Sequence, residues 1–166
     1  MARVEFKSQH GRSRGPRVTY TLPLASLSRG KARHPAPARE MYASPLFRAA
    51  RAYAERQYGP GHWLILWALH GLVDPDTILD PYDLSLRQLS AREREAWGDT
   101  VAVELTQRFP AGTVLWFHAG ALYRDMIAPV VAHRVRFRLA GLGIGEQLAW
   151  YRRHAEAAEA PGRWYP

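Results

Sequence analysis

The sequence predicts a single α/β domain in which helices cover both faces of a mostly parallel sheet of about four strands, a three-layer α/β/α arrangement. Short apolar or alternating segments typical of strands alternate along the chain with longer segments of helical periodicity. A length of 166 residues, an apolar fraction of 47% and six tryptophans are typical of one packed domain. Residues 1–16, rich in glycine and arginine, predict a basic flexible arm, so the domain is assigned to residues 17–166.

The first predicted elements are a strand, a loop and a helix. Residues 17–24 alternate in polarity and are rich in β-branched side chains, which indicates a strand, and Pro23 places its end at a sheet edge. Residues 26–40 predict a loop, because a glycine and two prolines disfavour regular structure. Residues 44–59 predict a helix, because Ser44 is a good N-cap, a proline follows it and a glycine ends the segment.

The rest of the chain continues the alternation of strands and helices. Residues 62–69 are almost continuously apolar, which predicts one buried strand. Residues 90–110 predict a helix that begins with a capping box between Ser90 and Glu93. Gly98 is expected to weaken or interrupt this helix. Strands are also predicted at 113–120 and 133–139, and helices at 120–131 and after a glycine-rich loop at 140–145.

Basic charge is concentrated at the start of the chain. Residues 1–51 contain 11 Lys and Arg against 2 Asp and Glu, whereas residues 52–166 contain 12 against 13. A one-sided basic field favours a polyanionic partner, so we expect nucleic acid, either DNA or RNA. Alternation in the strand at 133–139 predicts a second basic row. The residues expected to contact phosphates are Arg3, Lys7, Arg12, Arg14, Arg17, Arg134, Arg136 and Arg138.

Several classes of protein are not favoured by the sequence. There is no cysteine, which excludes disulfides, cysteine-based zinc sites and a thiol nucleophile. No histidine pair or EF-hand spacing is present, so neither a metal nor another cofactor is expected. No apolar run approaches the roughly 20 residues of a membrane helix, and the N-terminus lacks the apolar region of a signal peptide. We therefore expect a cytoplasmic protein without a membrane partner.

The candidate site lies in the loops after the predicted strands, because parallel sheets bind ligands beyond the carboxyl ends of their strands. In the segment LHGLVDPDTILDPYDLSL, His70 directly follows an apolar strand and is a candidate acid or base. Asp80 precedes a proline and is therefore extended, and Asp83 follows shortly after. These three side chains are the catalytic candidates, together with Lys31, which would hold phosphate or attack a sugar carbon.

Other residues of these loops have both structural and functional interpretations. Asp74 and Asp76 flank a proline, a composition typical of a turn. Gly143 and Gly145 precede a helix, where they would cradle an anion or simply allow a tight turn. Trp67 is a candidate for stacking against a base. The remaining candidates for binding substrate are Ser28, Arg39, Tyr82, His118 and Gly120.

Four blocks of the chain resemble, in the same order, an uncharacterised bacterial and phage domain family of unknown function. They are HPAPAREMYASPLFRAARAYAE, WLILWALHGLVDPDTILDPYDLSL, HAGALY and GLGIGEQLAWYRR, and the resemblance spans roughly residues 18–153. HGLVDPDTILDPYDL also resembles, more distantly, the YaaA-type peroxide-stress proteins, which bind DNA. The segment SRGK resembles a core domain of archaeosine-pathway enzymes, which modify a guanine-derived base. These resemblances imply chemistry on nucleic acid or a nucleobase.

One position departs from the pattern of the family. Its first strand usually ends in a Cys-Ser-x-x-Lys motif, and here Ser28 and Lys31 are kept while Leu27 replaces the cysteine. If the cysteine performs chemistry in the family, this chain has lost it or relies on Lys31. If the cysteine only packs, leucine is a conservative replacement.

Three functions remain open from the sequence. The first is an enzyme acting on a base or nucleotide in DNA or RNA, of the glycosidase or base-transferase type. The second is a non-enzymatic DNA- or RNA-binding module in stress response or phage biology. The third is a hydrolase of small nucleotides whose basic arm is incidental.

Overall fold

A computed structural model of the protein describes residues 34–59 and 62–155, which form an α/β structure. The helices described are α1 (Pro45–Tyr58), α2 (Ala91–Arg108), α3 (Ala121–Ile127) and α4 (Ile144–Arg153). The strands described are β1 (Ala36–Pro37), β2 (Ile65–Trp67), β3 (Gly71–Val73), β4 (Ile78–Leu79), β5 (Val114–Phe117) and β6 (Arg134–Phe137). The predicted arm at 1–16 and the predicted strand at 17–24 lie outside the described residues.

The strands pair two by two. Strands β1 and β4 are antiparallel, β2 and β3 are antiparallel, and β5 and β6 are parallel. Within the described ranges, the pairing therefore does not unite four mostly parallel strands in one sheet. The predicted α/β class is confirmed, because helices and strands alternate along the described chain. Nothing finer than this class is confirmed.

A buried strand was predicted at 62–69, and the structure has a shorter buried strand, β2, inside that segment. Strand β2 ends at Trp67, a turn at residues 68–70 reverses the chain, and β3 begins at Gly71. Gly71 has a φ of 68°, a conformation that side chains other than glycine rarely adopt. The Leu72 N–H donates to Glu104 Oε2 of α2 at 3.0 Å, which fixes the reversal from outside the hairpin.

Helices α1 and α2 begin where their capping residues predict. The Ser44 hydroxyl accepts from the Phe47 N–H at 3.2 Å, and Ser90 and Glu93 form both hydrogen bonds of the capping box. Helix α2 runs through Gly98 without the predicted interruption. A side chain at Gly98 would collide with the Met126 carbonyl, so the glycine allows α3 to pack closely against α2.

Helices pack on both faces of the β2–β3 hairpin. Leu66 and Leu72 face the core formed with α2, α3 and β5, whereas Ile65 and Val73 face the core formed with α1. A third core, which includes Leu139, joins α1 to α4. No helix in residues 34–59 or 62–155 has the length and apolarity needed to span a membrane.

Candidate functional site

An aromatic cluster surrounds the turn between β2 and β3. We call it the His70 cluster and define it as Tyr42, Trp67, His70, Tyr82 and Asp83. The Trp67 ring lies 5.3 Å from both the Tyr42 and the Tyr82 rings, measured between centroids. The His70 ring lies 5.6 Å from Tyr82 and 6.1 Å from Trp67. Three separate segments of the chain therefore meet at this turn.

The His70 cluster combines exposed ionisable groups with a buried aromatic floor. His70 and Asp83 are exposed, whereas Tyr42 is 4% exposed and Trp67 is 1% exposed. This burial favours a supporting role for Trp67 in the cluster, and the predicted stacking against a base stays a prediction. Tyr82, which is half-buried beside the His70 ring, is the better candidate for such a contact.

The phenols of the cluster stay neutral over a wide pH range. Burial raises the pKa of Tyr42 to about 12, the nearby Asp83 carboxylate adds to the rise, and hydrogen bonding with Tyr82 opposes it. Burial also raises the pKa of Tyr82, and the neighbouring Tyr42 hydroxyl adds to that rise. Neutral phenols keep their hydrogen-bond donors at physiological pH.

Helix α2 anchors the floor of the His70 cluster. The Trp97 Nε1–H donates to the Trp67 carbonyl at 2.9 Å, and the Trp97 ring contacts Tyr123 at 5.4 Å between centroids. The Trp67 Nε1 atom is buried and has no hydrogen-bond partner among the described residues. Trp67 is therefore held through its backbone and ring rather than through its own indole N–H.

The aspartates of the opening segment have different surroundings. Asp74 begins the predicted turn, in which the Thr77 N–H donates to the Asp74 carbonyl at 3.0 Å. Its carboxylate pairs with Arg108 at 3.0 Å, and Asp76 forms an ion pair with Arg39. Asp80 is exposed and forms no hydrogen bond or ion pair within the described part of the chain. Of the predicted catalytic aspartates, the structure brings Asp83, but not Asp80, into the His70 cluster.

Arg39, a predicted contact for substrate, is engaged in local structure. In addition to Asp76, its side chain lies 3.8 Å from the Glu40 carboxylate. Its carbonyl accepts from Arg51 at 3.0 Å, which ties the segment before α1 to that helix. This arrangement favours a structural role for Arg39.

A second aromatic cluster surrounds His118 at the end of β5. We call it the His118 cluster and define it as Tyr53, His118, Arg138, Trp150 and Tyr151. The His118 Nδ1 atom lies 3.0 Å from the Tyr151 hydroxyl, and its ring lies 5.3 Å from the Tyr53 ring. The Arg138 guanidinium donates to the Tyr53 hydroxyl at 3.3 Å. These contacts join β5 to α1 and α4.

His118 was predicted to contact substrate, but it is 3% exposed. Burial lowers its pKa from 6.5 to about 3, and the positive charge of Arg138 adds to that effect. The imidazole is therefore neutral at physiological pH. Its Nε2 atom is buried without a hydrogen-bond partner in the described ranges. These contacts favour a role for His118 as a core contact between α1, β5 and α4, and the predicted role in substrate binding stays a prediction.

The sequence matches, over residues 22–153, the family model described as Family of unknown function (DUF6884). The chain belongs to this family. The match confirms the predicted membership of a family of unknown function, and it includes both aromatic clusters. No curated protein matches the chain.

Within the DUF6884 domain, the glycine-rich loop before α4 is already hydrogen-bonded to a side chain of that helix. The Gly143 N–H donates to Glu146 Oε2 at 2.7 Å, so a carboxylate already sits where an anion would bind. Gly145 lies in the first turn of α4, and its surroundings are open. Gly120 precedes α3, and its carbonyl accepts from the backbone of that helix. These contacts favour a structural role for Gly143 and Gly120.

The predicted basic row on β6 divides in the structure. Arg134 and Arg136 are exposed on the strand, whereas Arg138 follows the strand and is half-buried. The Arg138 guanidinium lies 4.4 Å from the centroid of the Trp116 ring. The other predicted contacts for nucleic acid, and Leu27, Ser28 and Lys31, lie outside the described residues.

Two aromatic residues near the site were not predicted. Tyr42 belongs to the His70 cluster, and Tyr123 contacts Trp97 beneath it. Burial raises the pKa of Tyr123, and the Tyr42 hydroxyl adds to the rise. Nothing in the sequence around either tyrosine distinguishes it from a core residue. The described residues contain no group of three or more ligand side chains placed to hold a metal ion.

Proposed function

We propose that the protein is an enzyme acting on a base or nucleotide in nucleic acid, of the glycosidase or base-transferase type, with the His70 cluster as its active site. One observation carries the proposal. An exposed imidazole, that of His70, lies beside the neutral phenol of Tyr82, and the exposed carboxylate of Asp83 acts electrostatically on the neighbouring phenol of Tyr42. An acid, a base and a neutral donor are the groups needed for such a reaction.

The proposed chemistry assigns one role to each exposed group. Cleavage of an N-glycosidic bond leaves an electron pair on the base nitrogen, and His70 would donate a proton to it. Asp83 would accept a proton from water, whose hydroxyl bonds to the sugar carbon as the base leaves. In a base transferase, an incoming base would replace water. Asp83 would also stabilise positive charge on the sugar during the reaction.

The proposal requires the target base to leave its stack. Enzymes that act on a base extrude it into a pocket and hold it by stacking and hydrogen bonds. Tyr82 would supply the aromatic contact, and the hydroxyls of Tyr42 and Tyr82 would help position Asp83. Lys31 and Ser28 remain candidates for contacting phosphate, as predicted from the sequence.

Further support comes from the resemblances described above. The segment that contains His70 and Asp83 is the one similar to YaaA-type proteins, and SRGK is similar to enzymes that modify a guanine-derived base. Our proposal includes a cytoplasmic location, where nucleic acid is accessible. It also includes the predicted union of the strand pairs in one sheet, in which two of the three described pairs are antiparallel rather than parallel.

The test is incubation of the full chain with duplex, single-stranded and base-modified nucleic acids, with released base measured by mass spectrometry. We expect release by the wild type and loss of release in His70→Gln and Asp83→Asn. His62→Gln and Asp99→Asn are matched controls, because both residues are exposed and lie outside the cluster. Equal release by all four variants would reject the active site.

A non-enzymatic nucleic-acid-binding module is the second candidate. It is favoured by Arg134 and Arg136, which are exposed on β6 and form no ion pair with a carboxylate of the described residues. In this case the chain would bind nucleic acid with a steep dependence on salt and release no base. Removal of residues 1–16 would then flatten that dependence. An unchanged slope would exclude the arm as a phosphate contact.

A further inference from the structure

The parallel pair of β5 and β6 presents two different faces. Leu115 and Phe117 are buried in the core with α2 and α3, and Val135 and Phe137 pack against that core. Because side chains alternate along a strand, Trp116 lies on the opposite face. In the register of the pair, Trp116 lies beside Arg136, and Val114 lies beside Arg134.

Three arginines and one tryptophan dominate this opposite face. We call it the Trp116 face and define it as Val114, Trp116, Arg134, Arg136 and Arg138. Arg134 and Arg136 are exposed, and Trp116 is half-buried. The Arg138 guanidinium is held over the Trp116 ring at 4.4 Å and donates to the Tyr53 hydroxyl. The face thus combines flat π surfaces with positive charge.

We propose that the Trp116 face binds single-stranded nucleic acid. The inference rests on the proposed function only in that nucleic acid is the partner. Arg134 and Arg136 are two residues apart on one strand, so their side chains leave the backbone roughly 6.6 Å apart. Phosphates of an extended strand would contact this pair, while a base stacks on the indole and guanidinium of Trp116 and Arg138.

The chemistry of the face favours a single strand over a duplex. Bases in a duplex are paired and stacked, so their ring faces are not available to an aromatic side chain. Reading a duplex by its major groove requires a helix or a β-ribbon that enters the groove. The β5–β6 pair is packed along its other face against the core, so it does not project as a free ribbon.

The experiment measures affinity by fluorescence anisotropy for a labelled single strand of mixed sequence and for the corresponding duplex, over a series of salt concentrations. The full-length variants are Trp116→Leu, Trp116→Phe and the double variant Arg134→Ala/Arg136→Ala. The matched control is Arg92→Ala/Arg153→Ala, which removes the same charge from two exposed arginines elsewhere. Circular dichroism of each variant verifies folding.

We expect the wild type to bind the single strand more tightly than the duplex. Trp116→Leu should weaken binding of the single strand about 5- to 150-fold, the range measured for loss of one stacked base, and Trp116→Phe should weaken it less. The Arg134→Ala/Arg136→Ala variant should lower the slope of log affinity against log salt by about 1.4, or about 0.7 per phosphate contact. The control variant should keep the slope of the wild type.

Two results would overturn the proposal. One is preferential binding of the duplex with no change in Trp116→Leu. The other is an arginine variant indistinguishable from its control. If Trp116→Leu does not fold, Trp116→Phe and the arginine variant decide, since both retain an aromatic ring at this position.

The base-release assay separates this inference from the proposed enzyme. Binding of strands through the Trp116 face without any release of base would support the inference and reject the enzyme. If the Trp116 and Arg134/Arg136 variants release base and also bind the single strand as the wild type does, the inference is rejected and the enzyme is kept. Absence of any binding by the wild type would reject both.

Discussion

The His70 and His118 clusters have nearly the same composition, but their histidines have opposite exposure. Each places one histidine among tyrosine and tryptophan rings at the end of a strand. His70 is exposed in a cluster that also contains the exposed Asp83, whereas His118 is buried between α1 and α4. Solvent access, rather than residue type, therefore distinguishes the histidine proposed for catalysis from the buried one.

The sharpest test of the comparison is His70→Gln. Loss of a general acid should lower the rate of base release by about 100- to 10,000-fold. Because His70 is exposed, the free energy of unfolding should change by less than about 0.5 kcal/mol. Release assays and urea unfolding of the same preparation check both values. A destabilised variant would indicate that His70 belongs to the core, as His118 does.

The opposite result is expected for His118→Gln. The substitution disrupts the contact with the Tyr151 hydroxyl in a buried environment, which should destabilise the fold by about 2–4 kcal/mol. Urea unfolding measures the loss, with the exposed His62→Gln as control. At a temperature where the variant is folded, its rate of base release should remain near that of the wild type. An unchanged stability would contradict the assignment of His118 to the core.

Gly71→Ala tests whether the hairpin turn positions His70. The positive φ disfavours alanine, and the new Cβ would lie 3.2 Å from the Glu104 carboxylate. We expect a loss of about 1–2 kcal/mol of stability together with reduced base release. Gly145→Ala, where the space is open and φ is not positive, is the control and should not be destabilised. Equal effects of the two substitutions would contradict the view that the turn positions His70.

The pH dependence of the free energy of unfolding should also distinguish the two clusters, with a smaller effect. The pKa of His118 falls from 6.5 to about 3 on folding, so the unfolded chain binds a proton more readily. The contribution of His118 is complete above pH 6.5 and is lost as the pH falls from 6.5 towards 3, by about 1.4 kcal/mol per pH unit. Urea unfolding between pH 7.5 and 4.5 should show a steeper decline for the wild type than for His118→Gln. Parallel curves would contradict a buried neutral imidazole.

Local signals in the sequence predicted the helices well. Ser44 and Ser90 are caps whose hydrogen bonds depend only on neighbouring residues, so α1 and α2 begin as expected. The predicted break at Gly98 does not occur, because the glycine serves contact with α3 rather than weakening α2. The end of β2 at Trp67 also depends on a distant contact and was not predicted. The hydrogen bond from the Leu72 N–H to Glu104 joins residues that are far apart in the chain.

The candidate site was predicted in part. His70, Tyr82 and Asp83 share one short segment, so their proximity follows from local sequence. Tyr42 and Tyr123 come from other segments, and an isolated tyrosine in a sequence does not differ from a core residue. The burial of His118 depends on the packing of α1 against α4, which no pattern around His118 indicates.

Helix α2 reduces the conformational entropy that the His70 turn would lose when a ligand binds. Trp97 holds the end of β2 and Glu104 holds the start of β3, so both ends of the turn are attached to one rigid helix. The two attachments are seven residues apart, about 10 Å along the helix axis. A turn fixed in this way loses little backbone freedom when a ligand binds, so the backbone position of His70 is set before binding. Substitutions in α2 should therefore alter His70 without touching it.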